Sequence, residues 1–173
     1  MNLDRTLPWV GDVNVKNFEE VSKGILNLLK ENKDEVIRLI LTSEGGFTDI
    51  AFSFYDLVRL VWKPKLHTIG SGSVDSSALL ILLAGERRFV TPHTTLYIHQ
   101  MGRHFKDVRI STATINGLGK DLRHCEDKLA EIVAEKTGGK IEKKAFLNMM
   151  LSETVLTSAD ALMLGLVHEI LSE

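Results

Sequence analysis

The sequence predicts an α/β fold of layered β-sheets with flanking helices, in one domain over residues 1–173. Three observations predict it. Short β-branched runs alternate with segments of helical period, and glycine turns fall where strands pass into helices. A length of 173 residues with 44% apolar and 25% charged side chains suits one compact domain, and no linker, low-complexity tract or internal repeat divides it.

The elements follow in order. Phe18 to Glu31 places Phe18, Val21, Ile25, Leu28 and Leu29 on one helical face, which predicts a helix packed on a sheet. Val36 to Leu41 reads as a strand that ends at Thr42-Ser43-Glu44-Gly45-Gly46. Asp49 to Trp62 returns to helical spacing through Ile50, Phe54, Leu57, Val58 and Val61, and Pro64 stops it. Leu66 to Gly70 predicts a second strand, feeding a Gly/Ser turn and an apolar helix over Ser77 to Ala84. Arg88 to Val90 and Thr95 to Ile98 supply further short strands.

The segment from about Ile110 to Lys136 differs from these. Ile115, Leu118, Leu122, Cys125, Leu129 and Ile132 follow one another by steps of 3, 4, 3, 4 and 3, a narrow seam of the kind that packs helix on helix. Two readings stay open: a projecting helix that meets another subunit, or a surface helix lying on its own core. Gly117 and Gly119 weaken its first turns, Thr137-Gly138-Gly139 ends it, and a shorter helix follows from Lys140 to about Met150.

Whole-chain properties narrow the function classes. A formal net charge of −2 gives no electrostatic reason to expect nucleic acid or an anionic membrane as partner. The single cysteine, Cys125, excludes an internal disulfide, and the longest apolar run, Ala78 to Ala84, is too short to cross a bilayer. The opening Met-Asn-Leu-Asp-Arg lacks a signal-peptide layout, so a cytoplasmic protein is expected. The six histidines, His67, His93, His99, His104, His124 and His168, show no metal-ligand spacing, and no nucleotide-binding glycine motif is present. No cofactor is expected.

Three short segments carry candidate chemistry. Gly70 to Ala78 is a small-residue turn opening an apolar helix, an arrangement that lifts a hydroxyl such as that of Ser76 to a helix N-terminus, although such serines also serve simply as caps. His99, in Tyr97-Ile98-His99-Gln100 at the end of a strand, is placed to take a proton, although histidines there are often structural. Gly45-Gly46 lets the backbone approach a ligand and aim an N–H at a developing oxyanion, although a plain strand-to-helix turn looks the same.

In order and spacing these segments resemble the proteolytic subunit of the Clp protease, ClpP. Ser43-Glu44-Gly45-Gly46 matches the family's Ser-Pro-Gly-Gly, and Tyr55-Asp56, Lys63-Pro64 and Thr68-Ile69 match its next pairs. Gly72-Ser73-Val74-Asp75-Ser76 matches the nucleophile turn, Ile98-His99-Gln100 the segment around the catalytic histidine, and Thr137-Gly138 the end of a long helix. Ser158-Ala159-Asp160-Ala161 to Gly165-Leu166-Val167 matches the stretch near the family's C-terminus, so the resemblance runs from about Arg5 to Leu171.

The resemblance implies a ClpP/crotonase-like fold and a serine peptidase acting on peptides or unfolded proteins inside a ring chamber. It makes Ser76 the nucleophile, His99 the general base, and the backbone N–H groups of Gly46 and Ser77 the oxyanion donors. Counting back from Gly165-Leu166-Val167 puts Glu153 where the family has its aspartate. Residues 110–136 become the handle helix, with a homo-oligomer, a heptamer or stacked double heptamer, as the expected assembly. An AAA+ unfoldase is the candidate partner, yet only a few residues precede Arg5 to Gly11, so the family's N-terminal axial segment is expected to be largely missing. The chain departs from the family pattern at Asp75, Glu44 and Met101, which stand where the family has a small apolar residue and two prolines. Two other classes remain: a catalytically silent ring subunit or scaffold, and a crotonase-like acyl-coenzyme A enzyme that needs no Ser/His pair.

Overall fold

A computed structural model describes residues 3–103, 105 and 109–172. His104 therefore lies outside the described residues. Five strands form a parallel sheet in the order β1-β2-β3-β4-β7: β1 (Thr6–Val10), β2 (Ile37–Ser43), β3 (Leu66–Val74), β4 (Arg87–Val90) and β7 (Glu169–Ile170). Strands β5 (Thr95–Ile98) and β6 (Thr154–Thr157) pair antiparallel with each other, and β5 joins the main sheet through the parallel pair Ser73 and Thr95. This small second layer carries the His99 end of the chain.

The helices follow from the apolar spacing. Helix α1 (Val15–Glu31) is capped by the Asn14 side chain, which accepts from Asn17 N–H, and buries Val21, Ile25 and Leu28. Helix α2 (Thr48–Asp56) buries Ala51, Phe54 and Tyr55. Helix α3 (Ala78–Leu83) is buried at every position and forms the centre of the core with Trp9, Phe54, Leu39 and Leu41. Helices α4 (Thr112–Lys136), α5 (Lys143–Leu151) and α6 (Ser158–Met163) complete the chain.

The structure differs from the sequence expectation most in the segments that follow. The helix expected over Asp49 to Trp62 is α-helical only to Asp56; Leu57–Trp62 winds as a π-helix that ends on Lys63 in the left-handed conformation. The wider turn rotates the tail, so Val58 is buried whereas Leu60 and Val61 face outward. Strand β3 runs four residues past Gly70, because a register shift between Leu41 and Ser43 lets Ser43 pair with Val74. Helix α5 begins at Lys143 rather than Lys140.

Helix α4 fits the projecting reading over its first half. Its N-cap Ser111 accepts from Thr114 N–H, yet Thr112 to Gly117 are all exposed, Ile115 included. Its second half buries Leu129, Ala130 and Val133 and packs on α3 and α5. Arg88 ties the far end into the fold: the buried guanidinium donates to the carbonyls of Lys136, Gly165 and Leu166, where orphan carbonyls at the ends of α4 and α6 offset its charge.

Candidate active site

Parallel strands β2 and β3 end side by side, and each passes into a turn. At the end of β3, Asp75 N–H donates to Ser43 O (2.9 Å) and Ala78 N–H to Asp75 O (3.0 Å), which folds Asp75-Ser76-Ser77 into a tight bend ahead of α3. Ser76 sits at the bend with φ 55°, a left-handed conformation that side-chain-bearing residues seldom adopt. The strain is held by the bonds on either side of the bend, and Ser76 is left half-buried rather than packed into the core.

The β2 turn demands both of its glycines. Gly45 has φ 99°, and a Cβ there would lie 2.7 Å from Ser76 Cβ and 2.9 Å from Asp75 O. Gly46 has φ 147°, and its Cβ would lie 2.5 Å from Val13 O. The turn is pinned by Val13 N–H to Gly45 O and Phe47 N–H to Val13 O, both 2.8 Å. Among the described residues the N–H groups of Gly46 and Ser77 make no hydrogen bond, so two main-chain donors stand free beside Ser76.

Ser76 and His99 line one cavity. Thr48 and Ser77 add its other polar groups, and Leu79, Ile98, Met101, Leu129, Phe146 and Met150 its apolar wall. The imidazole of His99 stacks on the Tyr97 ring, with centroids 5.0 Å apart and planes at 22°. Among the described residues no hydrogen bond joins His99 to Ser76 or to Glu153, as is common before substrate tightens such contacts.

Glu153 is placed by register. Ile98 pairs with Thr154 in the antiparallel β5–β6 ladder, so the next opposed positions are His99 and Glu153. Glu153 has φ 48° and is exposed, and its negative charge acts on the Tyr97 phenol. Partial burial first, and then this carboxylate, push the phenol above its ordinary range. The backbone therefore brings Glu153 to the end of the ladder beside His99, with its charge near the neighbouring tyrosine.

Asp75 turns inward to the backbone. Its carboxylate accepts from Tyr97 N–H at 2.8 Å. Burial raises its carboxyl above the usual aspartate range, the Tyr97 N–H opposes that shift, Glu44 adds to it and His99 opposes it. Sequence reasoning singled out Asp75 only as a departure and missed Tyr97 as its partner. The cavity wall from α4 and α5 was also missed, because nothing local ties Leu129, Phe146 and Met150 to a serine more than fifty residues earlier.

A family model described as Clp protease matches residues 1–173. The chain belongs to the Clp protease family. It is 32% identical over 143 residues to the ATP-dependent Clp protease proteolytic subunit 2 of Treponema denticola, covering 82% of this chain and 70% of that protein. The same-named subunit of Borreliella burgdorferi is 33% identical over 138 residues, covering 72% of this chain and 66% of that one. A point mutant of ClpP1 from Listeria monocytogenes superposes with a TM-score of 0.85 at 26% identity, over 98% of this chain and 92% of that structure. The fold is therefore the ClpP fold, and the family to which this Clp protease homologue belongs consists of serine peptidases that assemble as ring oligomers. No described helix is long and apolar enough to cross a membrane.

Proposed function

We propose that this chain is a serine peptidase that cleaves peptides or unfolded proteins within an oligomeric ring. Ser76 Oγ attacks the scissile carbonyl, and His99 accepts its proton and returns it to the leaving amine. The N–H groups of Gly46 and Ser77 hold the oxyanion. The observation that carries this reading is the strained Ser76 on one cavity with His99, beside two main-chain donors that nothing else uses. The apolar wall of the same cavity suits an aliphatic or aromatic substrate side chain next to the cleaved bond.

Glu153 is the acid that orients His99 in this reading. Its register supports the role; its charge acting on the Tyr97 phenol supports a second reading, a ring subunit whose catalytic set is incomplete. Exposed Ile115, 57% open to water, with half-buried Leu118 and Leu122 on the same seam of α4, supports assembly through that helix. A heptameric or double heptameric ring is the expected product, with an AAA+ unfoldase as candidate partner.

Fluorophosphonate labelling with native mass measurement tests both readings. A ring that labels on Ser76 and hydrolyses a fluorogenic peptide, with both properties lost in Ser76→Ala, supports the peptidase. A ring of the same size that neither labels nor hydrolyses makes the chain a scaffold. Binding of an acyl-coenzyme A without labelling would point to crotonase-type chemistry instead.

A further inference from the structure

We propose that Asp75 is a positioning residue for the Ser76 and His99 pair, its carboxylate tying the strand that carries the base to the turn that carries the nucleophile. The proposal rests on the peptidase reading above. The two groups stand on different layers, Ser76 after β3 of the main sheet and His99 after β5 of the small one. The ladder between β3 and β5 is a single pair, Ser73 with Thr95. Beyond it no further ladder pair joins β3 to β5 among the described residues, so the spacing of His99 from Ser76 depends on the bonds that the turn itself makes.

Two successive residues of the nucleophile turn replace that pairing. Asp75 Oδ1 accepts from Tyr97 N–H, and Ser76 N–H donates to Tyr97 O, both at 2.8 Å. Tyr97 is thereby held at its amide and its carbonyl by adjacent residues. The second bond uses only main chain and survives any substitution at 75. The first needs a side-chain acceptor of aspartate length, which an apolar residue cannot provide, and the Tyr97 amide makes no other hydrogen bond among the described residues.

From Tyr97 the restraint passes to the base. The Tyr97 ring stacks on the His99 imidazole, so fixing the Tyr97 main chain fixes both the strand and the surface on which the imidazole rests. Asp75 itself is part-buried, and its main chain is locked through Ser43 and Ala78. Its carboxylate is therefore a preset arm. The groups that face it are Glu44 after β2, and Tyr97 and His99 on and after β5.

The test compares the wild-type chain with Asp75→Ala and Asp75→Asn, as the assembled protein. Two readouts are taken: the second-order rate of fluorophosphonate labelling at Ser76, and hydrogen exchange of the Tyr97 amide. Alanine is expected to slow labelling about tenfold to a hundredfold, the scale of a misplacement of about 1 Å between reacting groups. It is also expected to speed Tyr97 exchange at least about tenfold, the effect of losing a charge-assisted bond. Asparagine keeps an oxygen in place and is expected to recover most of both. An alanine variant that labels within about twofold of wild type overturns the proposal, as does an asparagine variant no better than alanine. Where alanine does not fold, asparagine decides alone: a folded variant labelling at less than about a tenth of the wild-type rate overturns it. A wild-type chain that does not label removes the peptidase reading itself, and Tyr97 exchange in alanine against asparagine then still decides whether the tie exists.

Discussion

Replacing Gly45 by alanine gives the sharpest separation of site geometry from general stability. The added methyl would stand 2.7 Å from Ser76 Cβ and 2.9 Å from Asp75 O, and 3.3 Å from Ser76 Oγ. Ordinary carbon contacts need about 3.5–4.0 Å, so the glycine turn and the nucleophile turn must part by about 1 Å. The φ of 99° adds strain of about 1–3 kcal/mol for a residue with a side chain. Gly46 N–H moves with the turn. Loss of one oxyanion donor costs about a hundred- to a thousandfold in kcat, and a displacement of about 1 Å is enough for the lower figure.

Gly138→Ala is the matched control. Gly138 also has positive φ, 63°, but nothing lies within 4 Å of the added Cβ. It therefore carries strain of about 1–2 kcal/mol without any contact at the site. Peptide hydrolysis, with kcat and KM measured separately, and thermal melting separate the two. Gly45→Ala should lose at least about a hundredfold in kcat with assembly intact, and melt about 2–12 °C lower. Gly138→Ala should melt lower by a similar or smaller amount and keep its kcat. If Gly45→Ala turns over within about threefold of wild type, the free Gly46 N–H is not an oxyanion donor and the assignment fails.

Stability should fall as acid is added, by a route the titrating groups define. Burial first, and then neighbouring arginines, hold His67 and His168 below the ordinary histidine value. Their contribution is complete above about pH 6.5 and is lost as pH falls through the lowered values; a melting temperature flat from neutral pH to about pH 5 would contradict this. Asp75 acts with the opposite sign, since its raised carboxyl favours the fold below the ordinary aspartate value of about 3.9 and that contribution is lost as pH rises through the raised value. Asp75→Asn should therefore melt no lower than wild type at neutral pH and converge with it below about pH 4, whereas a lower neutral melting point would be inconsistent with that sign. Tyr97→Phe keeps the ring stacked on His99 but removes the phenol on which the Glu153 charge acts, so peptide hydrolysis should hold or rise. A drop in kcat of tenfold or more in that variant would mean that the phenol itself serves the reaction.

Much of the framework was legible because it rests on spacing. The face of α1, the strand ending at Ser43 and the apolar helix after Ser77 each follow from a local pattern, and each formed. Features that depend on a neighbour in space were not legible. The run Gly70-Ser71-Gly72-Ser73 reads as a turn, yet it continues β3, because β2 shifts register to offer Ser43 as a partner for Val74. Val61 has helical spacing with Phe54 and Leu57, yet a π turn swings it out. At the site, Ser76, Ser77 and His99 line one cavity, as motif order alone leads one to expect, and the β5–β6 ladder ends at Ile98 and Thr154, one residue short of His99 and Glu153. The side-chain choice that follows, Asp75 on the Tyr97 amide with the Glu153 charge near the Tyr97 phenol, depends on a tyrosine whose role no local pattern announces.

The two carboxylates differ in how firmly the fold holds them, and that difference locates the step on which activity turns. Asp75 is part-buried, bonded at its carboxylate, and continuous with a turn locked at Ser43 and Ala78, so its geometry is complete in the single chain. Glu153 is exposed at the start of β6, and the residues flanking it, Leu151 and Val155, are 62% and 60% exposed. Apolar side chains so open to water are covered when subunits associate, at about 25 cal/mol for each Å² removed. Whatever covers Leu151 and Val155 also restricts the rotamers of Glu153 between them. An interface formed on either side of Glu153 is therefore positioned to select the direction of its carboxylate, at the end of the ladder that leads from Thr154 and Ile98 to His99.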